Sequence, residues 1–235
     1  MPPLYRPTYE RGNCGIGFVA NRLGRPSHEL LNLAVESLVN LQHRGALDAE
    51  ARTGDGAGLL TSLPTRLFAR EAERLTGRGV DAARLGVGVF FLQPGTEAEA
   101  MALAEAALKR YHLALLAWRE VPTDNDILGE QARSTLPALW HALVTPAAGT
   151  EMKLEHRLYL ARKAFQRAAA ALGAYVPSFS SRTIVYKGLL LAPQLAQFYL
   201  DLIDPDYEVQ VAVFHQRYST NTLPTWQNAQ PFRVL

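Results

Sequence analysis

The chain has 235 residues, 48% hydrophobic and 20% charged, with a formal net charge of +2. That composition supplies ample material for a core, while 24 basic residues against 22 acidic ones make no electrostatic case for nucleic acid, and no apolar run reaches the roughly 18 residues of a membrane span. A single cysteine, Cys14, excludes an internal disulfide and makes a reducing, cytoplasmic setting the expectation.

Residues 1–13 hold three prolines and no apolar stretch of the signal-peptide kind, so they read as an extended arm or a removable leader. Cys14 follows, just before a short apolar run, Ile16 to Ala20, that reads as a strand. Ser27 is placed to cap a helix whose apolar positions are Leu30, Leu33, Ala34, Ser37, Leu38 and Leu41, with Gly45 as its C-terminal cap. Thr53-Gly54-Asp55-Gly56-Ala57-Gly58 precedes Leu59 to Leu63. Its glycines lead into a strand-like run without a following Gly-Lys-Ser/Thr, so a hairpin or bulged strand entry fits better than a phosphate loop. A helix over 64–75, a strand over 85–92, a helix over 97–111 capped by Thr96, and strands over 113–121 and 139–144 follow.

Asp124-Asn125-Asp126 reads as turn chemistry, since the glycine and glutamate of a calcium loop are missing. Residues 151–172 read as a long basic amphipathic helix with a solvated charged face. Residues 178–182 read as a polar loop entering a strand that ends at Gly188. A short helix over 193–200 and an alternating strand over 208–214 follow, and that strand delivers His215-Gln216-Arg217-Tyr218-Ser219-Thr220. Irregular alternation of strands and helices predicts a layered α+β domain rather than a doubly wound one.

Cys14 alone reads as a small buried hydrophobe rather than a nucleophile. Its chemistry changes if residues 1–13 are removed. An α-amine with a pKa of about 7.7–8.0 would then sit on the same residue as a thiol with a pKa of about 8.5, placing base and nucleophile together.

Asn13-Cys14-Gly15-Ile16-Gly17, Leu41-Gln42-His43-Arg44-Gly45 and His215-Gln216-Arg217-Tyr218-Ser219-Thr220, in that order, resemble the class II glutamine amidotransferases, which are N-terminal-nucleophile hydrolases. Thr53-Gly54-Asp55-Gly56, Trp118 to Asn125, Ser180 to Gly188 and Phe214 to Arg233 narrow the resemblance to the glutaminase domain that begins the large subunit of glutamate synthase. The resemblance implies a four-layer αββα sandwich and removal of the leader. It implies attack of Cys14 on the side-chain amide of L-glutamine, with release of ammonia and hydrolysis of a glutamyl thioester. It also implies that Arg217 pairs with the substrate α-carboxylate, that Tyr218 and Thr220 lie in the substrate segment, and that Arg44 supports the site. His215 reads as a strand-end residue.

In that family an Asn-Gly pair and a later Asp follow this point, so the sandwich and its site are expected to be incomplete at the C-terminal end. The other domains of a full synthase are the implied partners, carrying FMN and an iron–sulfur cluster. No cofactor or metal site is expected in this chain, because one cysteine cannot hold a cluster bound by several thiolates. A non-catalytic remnant or docking module that keeps the fold is the alternative. A thiol hydrolase pairing Cys14 with His215 is the third reading.

Overall fold

A computed structural model describes residues 14–45, 52–219 and 222–233; the expected leader and Thr220 lie outside the described residues. β1 (Gly15–Ala20) starts directly after Cys14 and a turn leads into α1 (His28–Asn40). Ser27 has the extended backbone an N-cap requires, and its hydroxyl accepts the Leu30 N–H at 3.2 Å. The buried stripe of α1 is Leu30, Leu31, Ala34 and Leu38, whereas Leu33 is exposed. The chain continues through β2 (Ala57–Ser62), α2 (Thr65–Thr76), β3 (Gly86–Leu92), α3 (Glu97–Arg110), β4 (Leu113–Glu120), α4 (Glu130–Ser134) and β5 (Ala138–Pro146). α5 (Leu154–Ala168), β6 (Tyr175–Ser180), β7 (Thr183–Gly188), α6 (Leu195–Phe198) and β8 (Val211–Gln216) complete it.

The strands form two antiparallel sheets of four, ordered β1-β8-β2-β7 and β4-β5-β3-β6. This is the α+β sandwich expected of an N-terminal-nucleophile hydrolase. In the first sheet Leu59 stands opposite both Phe214 and Tyr186. These side chains share one core with Leu31 and Leu38 of α1 and with Val87, Val89 and Phe91 of the second sheet. The alternate residues of β3, Phe90 and Leu92, join a second core with α3 and α5, which cover the outer face of that sheet.

A buried ion cluster ties the layers together. Arg119 of β4 donates to Glu71 of α2 at 2.9 Å and, through both terminal nitrogens, to Asp201 at 2.7 and 2.9 Å. The Tyr186 hydroxyl also donates to Asp201, at 2.6 Å. His141 accepts from Arg119 at 3.2 Å; burial pushes its pKa down to about 3, so it sits in the cluster as neutral imidazole.

Several sequence expectations change in the folded chain. Residues 178–180, expected in a loop, end the strand β6, because their serines are absorbed by specific partners: Ser178 Oγ accepts the Val185 N–H, and Ser180 Oγ donates to Glu155. α5 begins at Leu154, and its basic face is not all solvated. Arg157 is buried and donates to the carbonyls of His112, Ala147, Thr150 and Met152. Thr96 precedes α3, but its hydroxyl donates back to the Gln93 carbonyl instead of capping the helix. Gly45 closes a 3-10 turn (Gln42–Arg44) in extended backbone at φ −100°, so left-handed freedom is not why glycine stands there.

Candidate active site

The antiparallel register β1·β8 sets the site. Gly15 pairs with Gln216, so Cys14 falls beside the chain leaving β8. Its sulfur accepts the Tyr218 N–H at 3.3 Å and lies 3.7 Å from the Tyr218 carbonyl oxygen. Cys14 is half-buried and Tyr218 is exposed. The end of α1 packs onto the same spot. A side chain at Gly15 would begin 3.1 Å from Leu41 and 3.2 Å from the Cβ of Arg44, and one at Gly45 would strike the Gln216 amide. These two glycines therefore bring the 41–45 turn against the strand end, which seats Arg44 one residue away from the cysteine.

Arg217 continues the ladder beyond β8, its N–H donating to the Gly56 carbonyl at 2.8 Å. Its side chain is buried. Nη2 donates to Thr222 at 2.6 Å and to Ser219 at 3.3 Å, while Nη1 is buried with no hydrogen-bond partner among the described residues. No carboxylate among the described residues forms an ion pair with it. The nearby Asp55 instead accepts the Ser219 N–H.

Two neighbouring bases are held back from protonation. Burial pulls the His215 pKa down to about 4, helped by Arg217. Lys187, which faces His215 across Gly58, is pulled down to about 7 by burial and then by Arg233 and Arg217. A buried guanidinium with a spare donor and no ion-paired carboxylate among the described residues suits an anion. His215 Nδ1 is buried without a hydrogen-bond partner, and the contacts recorded for the Cys14 sulfur are to Tyr218.

Cys14, Arg44, Arg217 and Tyr218 thus lie at one strand end. Three contributors were not singled out. Gln216 donates from Nε2 to the Gly56 carbonyl at 3.2 Å. Asp55 and Lys187 were quoted within motifs but given no role, although a lysine inside the apolar run 184–190 was a signal that something satisfied it. A separate cavity of about 290 Å³ beside Trp226 is lined by Phe91, Gln93, Gln131, Leu189 and Gln227 and carries no charged side chain. Among the described residues no helix is long and apolar enough to cross a membrane, and no three His, Cys, Asp or Glu side chains gather to hold a metal ion.

This fold and this strand-end cysteine agree with what the sequence shares with known proteins. The pattern of the class-II glutamine amidotransferases matches residues 14–235, starting at Cys14, and the chain belongs to that family. Among its relatives, ferredoxin-dependent glutamate synthase 2 of Synechocystis sp. is 43% identical over 96% of this chain and 15% of its own length. The large chain of NADPH glutamate synthase from Azospirillum brasilense is 37% identical over 98% of this chain and 16% of its own length. Ferredoxin-dependent glutamate synthase 1 of Arabidopsis thaliana is 40% identical over 96% of this chain and 14% of its own. The chain therefore spans about one seventh of the length of these relatives.

Proposed function

We propose that this chain is a glutaminase unit of glutamate synthase type, which hydrolyses L-glutamine to glutamate and ammonia. The unpartnered, buried Nη1 of Arg217, whose chain neighbour Tyr218 donates its N–H to the Cys14 sulfur, is the observation that carries the reading. Removal of residues 1–13 would leave Cys14 with a free α-amine. That amine takes the thiol proton as sulfur attacks the side-chain carbonyl, then returns it to the departing ammonia; water next hydrolyses the thioester. The start of the family match at residue 14 supports this boundary. Arg217 grips the α-carboxylate through its free nitrogen, and Tyr218 and Thr220 belong to the substrate segment. Arg44 holds the Gly15 end of the strand in place.

The remaining domains of a synthase are the partners on this reading, and they would take the ammonia. FMN and the iron–sulfur cluster belong to them, because a chain with one cysteine has no ligand set for a cluster. A cytoplasmic, reducing setting suits a lone thiol nucleophile. The test is release of ammonia and glutamate from L-glutamine by the natural protein that carries this sequence. The reading requires release by the native protein and its loss in Cys14→Ala. Absence of release by the native protein, or undiminished release by the variant, would overturn it.

A further inference from the structure

Lys187 has no exposed surface, yet it is a lysine on β7, next to the strand's last residue. Its Nζ donates to the carbonyls of Gln227 and Ala229 at 2.8 and 2.7 Å and to the Tyr175 hydroxyl at 3.1 Å, which uses all three donors of an ammonium. The rings of Tyr175 and Phe232 flank it at 4.8 and 4.6 Å. Both carbonyls lie in the strap 224–233, which crosses the sheet face bearing Lys187 and His215. The sheet admits the strap through glycines. A side chain at Gly58 would begin 2.5 Å from the Gln230 carbonyl oxygen, one at Gly56 2.8 Å from Ala229, and one at Gly188 would strike the Trp226 ring.

Two routes lead from this anchor to Arg217. Thr222 and Ser219, which hold Arg217 Nη2, lie between β8 and the strap. Ala229 backs Gly56, whose carbonyl accepts from the backbone of Arg217 and the side chain of Gln216. We propose that Lys187 is a positioning residue: by fixing the carbonyls of Gln227 and Ala229, it fixes the strap and so aims Arg217 at the substrate carboxylate. This rests on the glutaminase reading through the role given to Arg217. Lys187 acts on substrate capture and leaves the reactivity of the thiol alone.

Lys187→Met keeps the length and removes the donors. Tyr175→Phe removes one partner and guards against a methionine variant that fails to fold. Each is reacted with diazo-oxo-norleucine, a glutamine analogue with an α-carboxylate, and with iodoacetamide, which has none. In Lys187→Met the concentration of the analogue that half-saturates labelling of Cys14 should rise about tenfold or more, the scale of lost hydrogen bonds to a charged group. Tyr175→Phe should raise it less. The iodoacetamide rate should stay unchanged in both, and amide hydrogen exchange should speed up across 222–233 ahead of the rest of the chain. Unchanged half-saturation, or an equal loss of both labelling reactions, overturns the proposal. If the native chain reacts with iodoacetamide but shows no saturable labelling by the analogue, the glutaminase reading fails. The exchange measurement still judges the anchor: acceleration confined to 222–233 upholds it, and no acceleration there sinks it.

Discussion

Asp201→Asn is the sharpest probe of what holds the two sheets in register. Asp201 is buried and accepts three charge-assisted hydrogen bonds, two from Arg119 and one from Tyr186. An asparagine keeps one acceptor oxygen but turns an amide NH₂ toward donors, so at least one bond becomes a donor–donor contact. Arg119 is then left buried with Glu71, which Arg74 also engages at 2.9 Å. Removing one member of a buried pair costs about 3–5 kcal/mol, because the surviving charge is uncompensated. At about 2–4 °C per kcal/mol for a chain of this size, the melting temperature should drop by about 6–20 °C. Thermal unfolding followed by circular dichroism, with urea titration for the free energy, gives the number. Arg119→Met combined with Asp201→Leu removes the charges together and should be less damaging than Asp201→Asn alone. A loss below about 1 kcal/mol in the single variant, or a double variant worse than the single, would refute the reasoning.

Arg217→Met should raise the KM for L-glutamine about 10²-fold, the scale expected for losing a buried charged hydrogen-bond partner, while iodoacetamide still modifies Cys14 at the native rate; an unchanged KM removes Arg217 from the site. Acid should destabilise the protein before its carboxylates titrate. His141 and His215 are held at about 3 and about 4 in the fold against an ordinary 6.5, so below pH 6.5 the unfolded chain takes up protons that the native one does not. Their stabilisation is complete above pH 6.5 and falls as the pH drops toward 4. Urea midpoints should decline between pH 6.5 and 5, less steeply in His141→Gln, and a flat profile over that range contradicts the assignment.

Much of this was legible in the sequence because it depended on local pattern. Ser27 and the α1 spacing, the apolar run of β3 and the alternation that ends in β8 all state their structure within a few residues. What was missed depended on partners far along the chain. The serines of β6 look like loop residues until Glu155 and the β7 backbone satisfy them, and Arg157 looks solvated until four carbonyls surround it. Gly45 reads as a helix cap and Gly58 as part of a turn, but the fold needs both to let another segment approach, while Gly56 combines such an approach with a positive φ of 134°. In the site, the ordered motifs named Cys14, Arg44, Arg217 and Tyr218, and the β1·β8 register sets them at one strand end. The spare nitrogen on Arg217 and the anchoring by Lys187 emerge only from the hydrogen-bond geometry.

The most direct test of the central claim is tandem mass spectrometry of the amino-terminal peptide after treatment with diazo-oxo-norleucine. The account predicts a peptide that begins at Cys14 and carries the label on its sulfur. A labelled peptide that still contains residues 1–13, or a peptide starting at Cys14 that takes up no label, would contradict it.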